Sequence, residues 1–278
     1  DRSDFGKAKL AAATSDVVVM VVGEEGHQSG EGRSRTNIGL PGLQLELLKE
    51  IYKINQNIVL VVMSGRPLDL SWADKNIPSI VQAWHLGSKS GDAIAQVLYG
   101  DYNPSGKLTM SFPRNVGQVP IYYNFKNTGR PSTSIEQVTN SGYADVVNSP
   151  LYPFGHGLSY TNFKYSNLTI DSSELDYNSK INISVKIENT GFFTGKEVAQ
   201  LYIRDIVGSI ARPMKELKGF EMIELAPGES KVVNFEIDSS LLEFYTYENK
   251  WEAEVGKFHA FIGTNSDVSD FKEFHLVK

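Results

Sequence analysis

The sequence predicts an α/β unit built on a mainly parallel sheet, followed by an all-β sandwich. Three observations carry this. Two short runs, residues 17–22 and 58–63, are apolar at every position, the mark of strands buried on both faces in a sheet covered by helices. Between and after them, apolar residues recur at helical spacing. From Tyr160 onward the apolar period becomes two, in short runs separated by turn signals, which is the pattern of a sandwich.

Taken in order, DFGKAKLAAA (residues 4–13) reads as the end of an amphipathic helix leading into the first strand. After a long loop, Leu43, Leu47, Ile51 and Ile54 mark one helix face, and the polar KINQN turn leads to the second strand. The loop SGRPLDL lies at the same edge of the sheet as the first loop. Its Arg66 can pair with a carboxylate, touch sugar hydroxyls, or stitch loops together. A third strand spans residues 79–84, and GDAIAQVLYG is a helix closed by Gly100. In NPSGKLTMSFP, a turn precedes a short strand in which Leu108, Met110 and Phe112 alternate inward. Residues 114–160 have no sustained period, but Tyr122, Tyr123, Phe125, Tyr143, Tyr152, Phe154 and Tyr160 make them a packed segment rather than a loose spacer. His156, between two glycines, reads as a hydrogen-bonded structural residue. KINISVKIEN turns Ile181, Ile183, Val185 and Ile187 to one face; EVAQLYIRD, SKVVNFEID, WEAEV and KFHAFIGTN are further strands. The sandwich carries no evident nucleophile, base or metal cluster, so its role is structural.

Chemistry concentrates in the loop between the first strand and the following helix, GEEGHQSGEGRSRTNIGLP. In parallel sheets, ligands bind beyond the carboxyl ends of the strands. Gly23, Gly26, Gly30 and Gly32 do not form the GxGxxG spacing of a dinucleotide cradle, and Glu24, Glu25 and Glu31 would repel a pyrophosphate. A glutamate on a glycine-rich loop suits general-acid work, because it can approach a leaving group and have its pKa raised when a pocket closes over it. A solvated acidic surface loop accounts for the same residue types.

Composition sets outer bounds. The 278 residues are enough for two domains with real cores; 41% are hydrophobic and 22% charged, as in an ordinary globular protein. A net charge of −6 and a pI near 5.5 give no footing for nucleic acid or an anionic membrane. No apolar run is long enough to span a bilayer. With 0 cysteines, disulfides and cysteine catalysis are excluded. The five histidines are scattered, without HxxxH or HExxH, so no metal and no cofactor is expected.

The chain resembles the second domain of glycoside hydrolase family 3, the β-glucosidase and β-xylosidase family, and is similar within it to the periplasmic bacterial β-glucosidases. The motifs are GEEGHQSGEGRSRTNIGLPGLQ, VLVVMSGRPL, AWHLGSKSGDAIAQVLYGDYNPSGKLTMSFP, LYPFGHGLSYTNF, RPMKELKGFEMIELAPGES and GKFHAFIGTNS, in order along almost the whole chain. The resemblance implies an α/β sandwich over residues 1–119, an aromatic-rich linker at 120–159 and a fibronectin type III-like domain at 160–278. It implies a retaining exo-acting β-glucosidase, periplasmic or secreted, whose nucleophilic aspartate lies on a preceding (β/α)8 barrel and whose general acid/base is a loop glutamate. Matching the loop places that glutamate at Glu31, just before GRSRT, with Glu24 and Glu25 as runners-up whose default role is loop support through backbone N–H groups, Arg33 or Arg35. His27 and Arg35 are the candidate sugar contacts.

One departure is decisive: a barrel needs about 200 residues or more, and nothing here resembles one. The first strands of the α/β sandwich are also expected to be missing. Asp69 and Asp74 of SGRPLDLSWAD lie inside the sandwich and are not promoted to nucleophile. The chain therefore reads as the C-terminal portion of a larger glycosidase, inactive alone, whose partners are a β-glucoside or oligosaccharide, the N-terminal barrel and, as a further option, a second copy in a homodimer. The alternatives are β-xylosidase or another exo-β-glycosidase of the family, or a non-catalytic carbohydrate-binding or scaffold module. The weakest is a hydrolase built on Ser64, which lacks a GxSxG elbow.

Overall fold

Helix and strand alternate from the start of the chain. In the computed structural model, which describes residues 1–132, 134–137 and 139–278, they run α1 (Phe5–Ala13), β1 (Val18–Gly23), α2 (Gln44–Tyr52), β2 (Ile58–Met63), α3 (Ser71–Asn76), β3 (Ser79–Gln82) and α4 (Ser90–Tyr99). These belong to the first of two compact units, Asp1–Tyr99 with Phe112–Pro120; the second comprises Gly100–Ser111 and Ile121–Lys278.

The first unit's sheet has the order β1-β2-β3, all parallel. β2 is central and meets the expectation of burial: Ile58, Leu60, Val61 and Val62 are all 0% exposed. β1 does not. Val19 and Val21 are 50% and 59% exposed, while Val22 is buried, because β1 is an edge strand here and only alternate residues face the packed side. Short polar side chains tie the layers. The amide of Asn55 donates to Ala12 O and Ser15 O, and that of Asn57 donates to Asp16 O, joining the α2–β2 turn to the end of α1. Gln44 exchanges two hydrogen bonds with the backbone of Gly23, at 2.8 and 2.9 Å, fixing the start of α2 to the end of β1.

β3 stops at Gln82 rather than Trp84. Ala83 N–H still donates to Val62 O, but Trp84 adopts a left-handed φ of 52°, which breaks the extended run, and its ring packs edge-on against the buried Phe112. The expected strand over Leu108–Phe112 does not form, and Met110 is 49% exposed. Here the chain passes from the second unit to the first. Leu108 is held by His156 O and Gly155 N–H, while Phe112 enters the core of the other unit, so no common face exists for the alternation.

The second unit holds β4 (Phe163–Ile170), β5 (Glu174–Leu175), β6 (Ile181–Asn189), β7 (Gly195–Asp205), β8 (Glu216–Leu225), β9 (Ser230–Ile237), β10 (Phe244–Tyr245), β11 (Trp251–Glu252), β12 (Gly256–Gly263) and β13 (Lys272–Leu276). A five-stranded sheet, β5-β13-β12-β7-β8, faces a three-stranded one, β4-β6-β9, over a shared apolar core. Ile181, Ile183, Val185 and Ile187 all enter that core from β6. WEAEV yields only the two-residue β11, paired with β10 in a small hairpin. Both sheet faces count for β7: Ala199, Leu201 and Ile203 point into the core, and Tyr202, on the other face, is 0% exposed.

What covers Tyr202 is the aromatic segment. Tyr123 stacks on Phe154 (centroids 4.4 Å apart) and meets Tyr202 edge-on at 5.9 Å. Tyr123 Oη also accepts from Leu217 N–H at the β7–β8 bulge, where the ladder leaves that donor to be satisfied from outside. Gln200 donates to Gly155 O and Thr264 O and accepts from Tyr202 Oη. The same end is pinned by Lys107 Nζ, 3.2 and 3.0 Å from the two carboxylate oxygens of buried Glu197, which also accepts from Tyr165 Oη. Burial beside that carboxylate pushes the Tyr165 phenol far above its ordinary range. Of the 120–159 stretch, Thr133 and Val138 lie outside the described residues.

Candidate active site

The loop after β1 is built on a buried carboxylate. Glu24 N–H donates to Met63 O, continuing the β1–β2 ladder one step, and turns the Glu24 side chain, 0% exposed, under the loop. Two arginines meet it. Arg35 Nη1 lies 2.7 Å from Oε1, and Arg66 Nε, from the loop after β2, lies 3.0 Å from Oε1 and donates to Oε2 at 3.2 Å. Gly65 N–H adds a bond to Oε2 at 3.3 Å. A carboxylate taken out of water costs several kcal/mol, and only such a set of charge-assisted donors offsets it.

The same arginines bind loop carbonyls. Arg66 Nη2 donates to Gln28 O and Arg33 O, each at 2.7 Å, and Arg35 Nη2 donates to Gly39 O at 3.0 Å. Arg66 thus both pairs with a carboxylate and stitches loops, two of the roles open from the sequence.

Glu31 stands apart. It is exposed, between Gly30 and Gly32 at φ 130° and 69°, and has no hydrogen-bond or ion-pair partner among the described residues. His27 is exposed at the rim, its Nδ1 3.1 Å from Glu25 Oε2. Arg35, by contrast, is largely buried, with 19% of its side chain exposed, and directs two nitrogens at the loop's own acceptors. Asp69 accepts from Ser71 N–H at the start of α3, and Asp74 lies within α3. Ser64 is 0% exposed, accepting from Gln82 Nε2 and donating to Arg66 O, so its hydroxyl is closed to a substrate. Among the described residues no group of three His, Cys, Asp or Glu is placed to hold a metal ion, and no helix is long and apolar enough to cross a membrane.

One residue that the sequence reading passed over joins the cluster. His85 is exposed just beyond β3, and its ring lies with Ser29 against Gly65. The available signal was its position at the carboxyl end of a parallel strand, the same argument that singled out the first loop. The loops after β1, β2 and β3 therefore converge, and at the glycine-flanked tip of the first stands the exposed carboxylate of Glu31, without a partner among the described residues. Glycoside cleavage with retention uses two carboxyl groups about 5–5.5 Å apart, so this tip can supply one member of such a pair.

A parallel-sheet unit whose loops converge at its carboxyl edge is thus followed in the chain by a two-sheet β-sandwich. Comparison with known proteins gives the family. Residues 2–160 match the glycosyl hydrolase family 3 C-terminal domain and residues 197–266 the fibronectin type III-like domain, and the chain belongs to glycosyl hydrolase family 3. It is 48% identical to the periplasmic beta-glucosidase of Salmonella typhimurium over 94% of this chain and 34% of that protein. It is 41% identical to a beta-xylosidase of Formosa agariphila, over 99% of this chain and 37% of the relative. The crystal structure of the beta-glucosidase from Listeria innocua in complex with glucose superposes with a TM-score of 0.94 at 37% identity, covering 99% of this chain and 38% of that one. The chain thus spans a little over a third of the length of the relatives it matches. The α/β unit followed by a fibronectin type III-like sandwich is as the sequence predicts.

Proposed function

We propose that this chain supplies the general acid/base of a retaining exo-β-glucosidase that removes terminal non-reducing β-D-glucosyl residues, with Glu31 as the proton donor. The observation that carries this is the contrast within one loop. Glu24 is consumed by two arginines and Glu25 faces His27, whereas Glu31 is exposed, without a partner among the described residues, and flanked by two glycines in left-handed backbone. In the reaction, an aspartate on a (β/α)8 barrel of the same protein attacks the anomeric carbon while Glu31 protonates the departing oxygen; Glu31 then takes a proton from the water that releases the sugar. His27, at the rim, is the candidate contact to the sugar on the leaving side. Arg35, considered from the sequence as a second sugar contact, is better supported as part of the clamp beneath the loop, because its nitrogens are aimed at Glu24 and Gly39. The similarity to a periplasmic β-glucosidase supports an exported enzyme.

β-Xylosidase activity is the second reading, supported by the relative of that name at 41% identity. Aryl glucoside and aryl xyloside turnover, measured side by side, separates the two.

The 278 residues alone are expected to turn over neither substrate. Fused to a family 3 barrel, the same chain is expected to be active, and Glu31→Ala to lower kcat by about 10²–10⁴-fold for substrates with poor leaving groups. Azide, which needs no proton removed, should restore turnover of activated aryl glucosides. Turnover by the isolated chain, or an unimpaired Glu31→Ala fusion, would refute the assignment.

A further inference from the structure

A single nitrogen, Arg66 Nη2, holds two carbonyls of the first loop, Gln28 O and Arg33 O, both at 2.7 Å. The residues between those two points are Ser29, Gly30, Glu31 and Gly32. The other side of the same guanidinium is fixed in turn, since Arg66 Nε meets the buried Glu24, and Glu24 N–H is bonded to Met63 O at the end of β2. Ser64 Oγ donates to Arg66 O, holding the arginine's own backbone. One side chain therefore links the ends of two strands to both ends of the loop tip. Inside that closed segment the character changes. Gly30 and Gly32 have φ of 130° and 69°, a side chain added at either would meet nothing within 4 Å, and Glu31 between them has no partner among the described residues.

We propose that Arg66 is a positioning residue that divides the loop into a fixed base and a short moving tip, so that Glu31 swings on its two glycines from anchored ends rather than drifting with the whole loop. This deepens the acid/base reading of Glu31, on which its importance for catalysis rests. Physically, a planar guanidinium can serve a carboxylate on one edge and two carbonyls at its far corner, whereas an ammonium is a single point that cannot span them. Anchoring the ends limits the conformations the carboxylate explores, and with them the entropy lost when it is brought to a glycosidic oxygen.

The chain has 0 cysteines, so nitroxide labels can be placed singly. Two doubly labelled proteins suffice, both with a reference cysteine at the exposed Lys75 of α3: one paired with Ser34→Cys at the base, the other with Glu31→Cys at the tip. Distance distributions from pulsed electron resonance are expected to be narrow for the base and about twofold broader for the tip. Adding Arg66→Lys, which keeps the charge and guards the fold, should widen the base distribution to match the tip; Arg66→Ala should do the same. Circular dichroism and thermal melts show whether each variant is folded. An unchanged base distribution in folded Arg66→Lys protein, or equal widths at base and tip in the parent, overturns the proposal. Because position 31 is a cysteine or is untouched in these proteins, the result is independent of whether Glu31 donates the proton, which the alanine variant and azide decide separately.

Discussion

At the scale of single residues, the molecule separates polar side chains that hold structure from those left exposed. Glu24 and Glu197 are both buried carboxylates, and both are matched by cations and hydrogen-bond donors: Arg35 and Arg66 for the first, Lys107 and Tyr165 for the second. Glu31 is exposed and has no hydrogen-bond or ion-pair partner among the described residues, which is why the proposal gives it the proton. His259 offers a pH-dependent test of the sandwich. Its ring stacks on Phe271 at 3.9 Å and lies 3.4 Å from Glu273; burial holds its pKa below the ordinary 6.5, against the opposing pull of Glu273 and with a smaller push from Arg204 and Lys257. With the folded value below the unfolded one, the unfolded chain binds more protons, so stability rises with pH. The contribution is full above the ordinary value and is lost as pH falls through the lower folded one. His259→Gln should therefore flatten the dependence of urea midpoint on pH between about 5 and 7, with little change at pH 8. An unaltered slope would show that the ring titrates alike in both states.

At the scale of elements, the site depends on where each strand of the parallel sheet stops. β1 ends at Gly23, whose φ is 138°, and a Cβ there would sit 1.7 Å from Met63 O. That approach lets Glu24 N–H reach the same carbonyl and tuck its side chain beneath the loop. Gly23→Ala is expected to destabilise the first unit by about 3 kcal/mol or more, through backbone strain and loss of the adjacent ladder bond, read as a lower denaturant midpoint. It should also raise protease sensitivity in residues 24–39, since the clamp loses its foundation. The end of β3 is set by the left-handed Trp84, which delivers His85 to the same edge. Three chain segments far apart in sequence thus supply one surface.

At the scale of the molecule, the second unit is more than a sandwich. Besides the two sheets it contains residues 100–111 and the aromatic segment, whose Tyr123 and Phe154 close over Tyr202 on the outer face of the five-stranded sheet. Burial pushes the Tyr202 phenol above its ordinary range, and its hydroxyl is spent on Gln200. Tyr123→Ala removes a ring stack, an edge contact and the acceptor for Leu217 N–H; we expect a loss of about 2–3 kcal/mol. Tyr123→Phe, which keeps the rings, should lose only about 1 kcal/mol, the share of that one hydrogen bond. A silent Tyr123→Ala would mean that the segment merely drapes the sheet.

Much of this was legible because it is written in neighbouring residues. A run apolar at every position, a period of two, or a long ordered string of family motifs is local information, and it sufficed for β2, β6, the two-part fold and the family. The sequence by itself also excludes disulfides and cysteine chemistry within these residues, since it holds 0 cysteines. What the tertiary structure decided were outcomes set by partners distant in the chain. β1 looks like β2 in sequence, yet half its valines are exposed, because neighbours and not composition determine how many faces are covered. β8, bulged where Lys218 is skipped, hides its alternation from a reading of period. Of three glutamates in one loop, which is structural was settled by Arg66, 42 positions away from Glu24. Burial and pairing are properties of the space around a side chain, and that space is made by residues the local sequence does not contain.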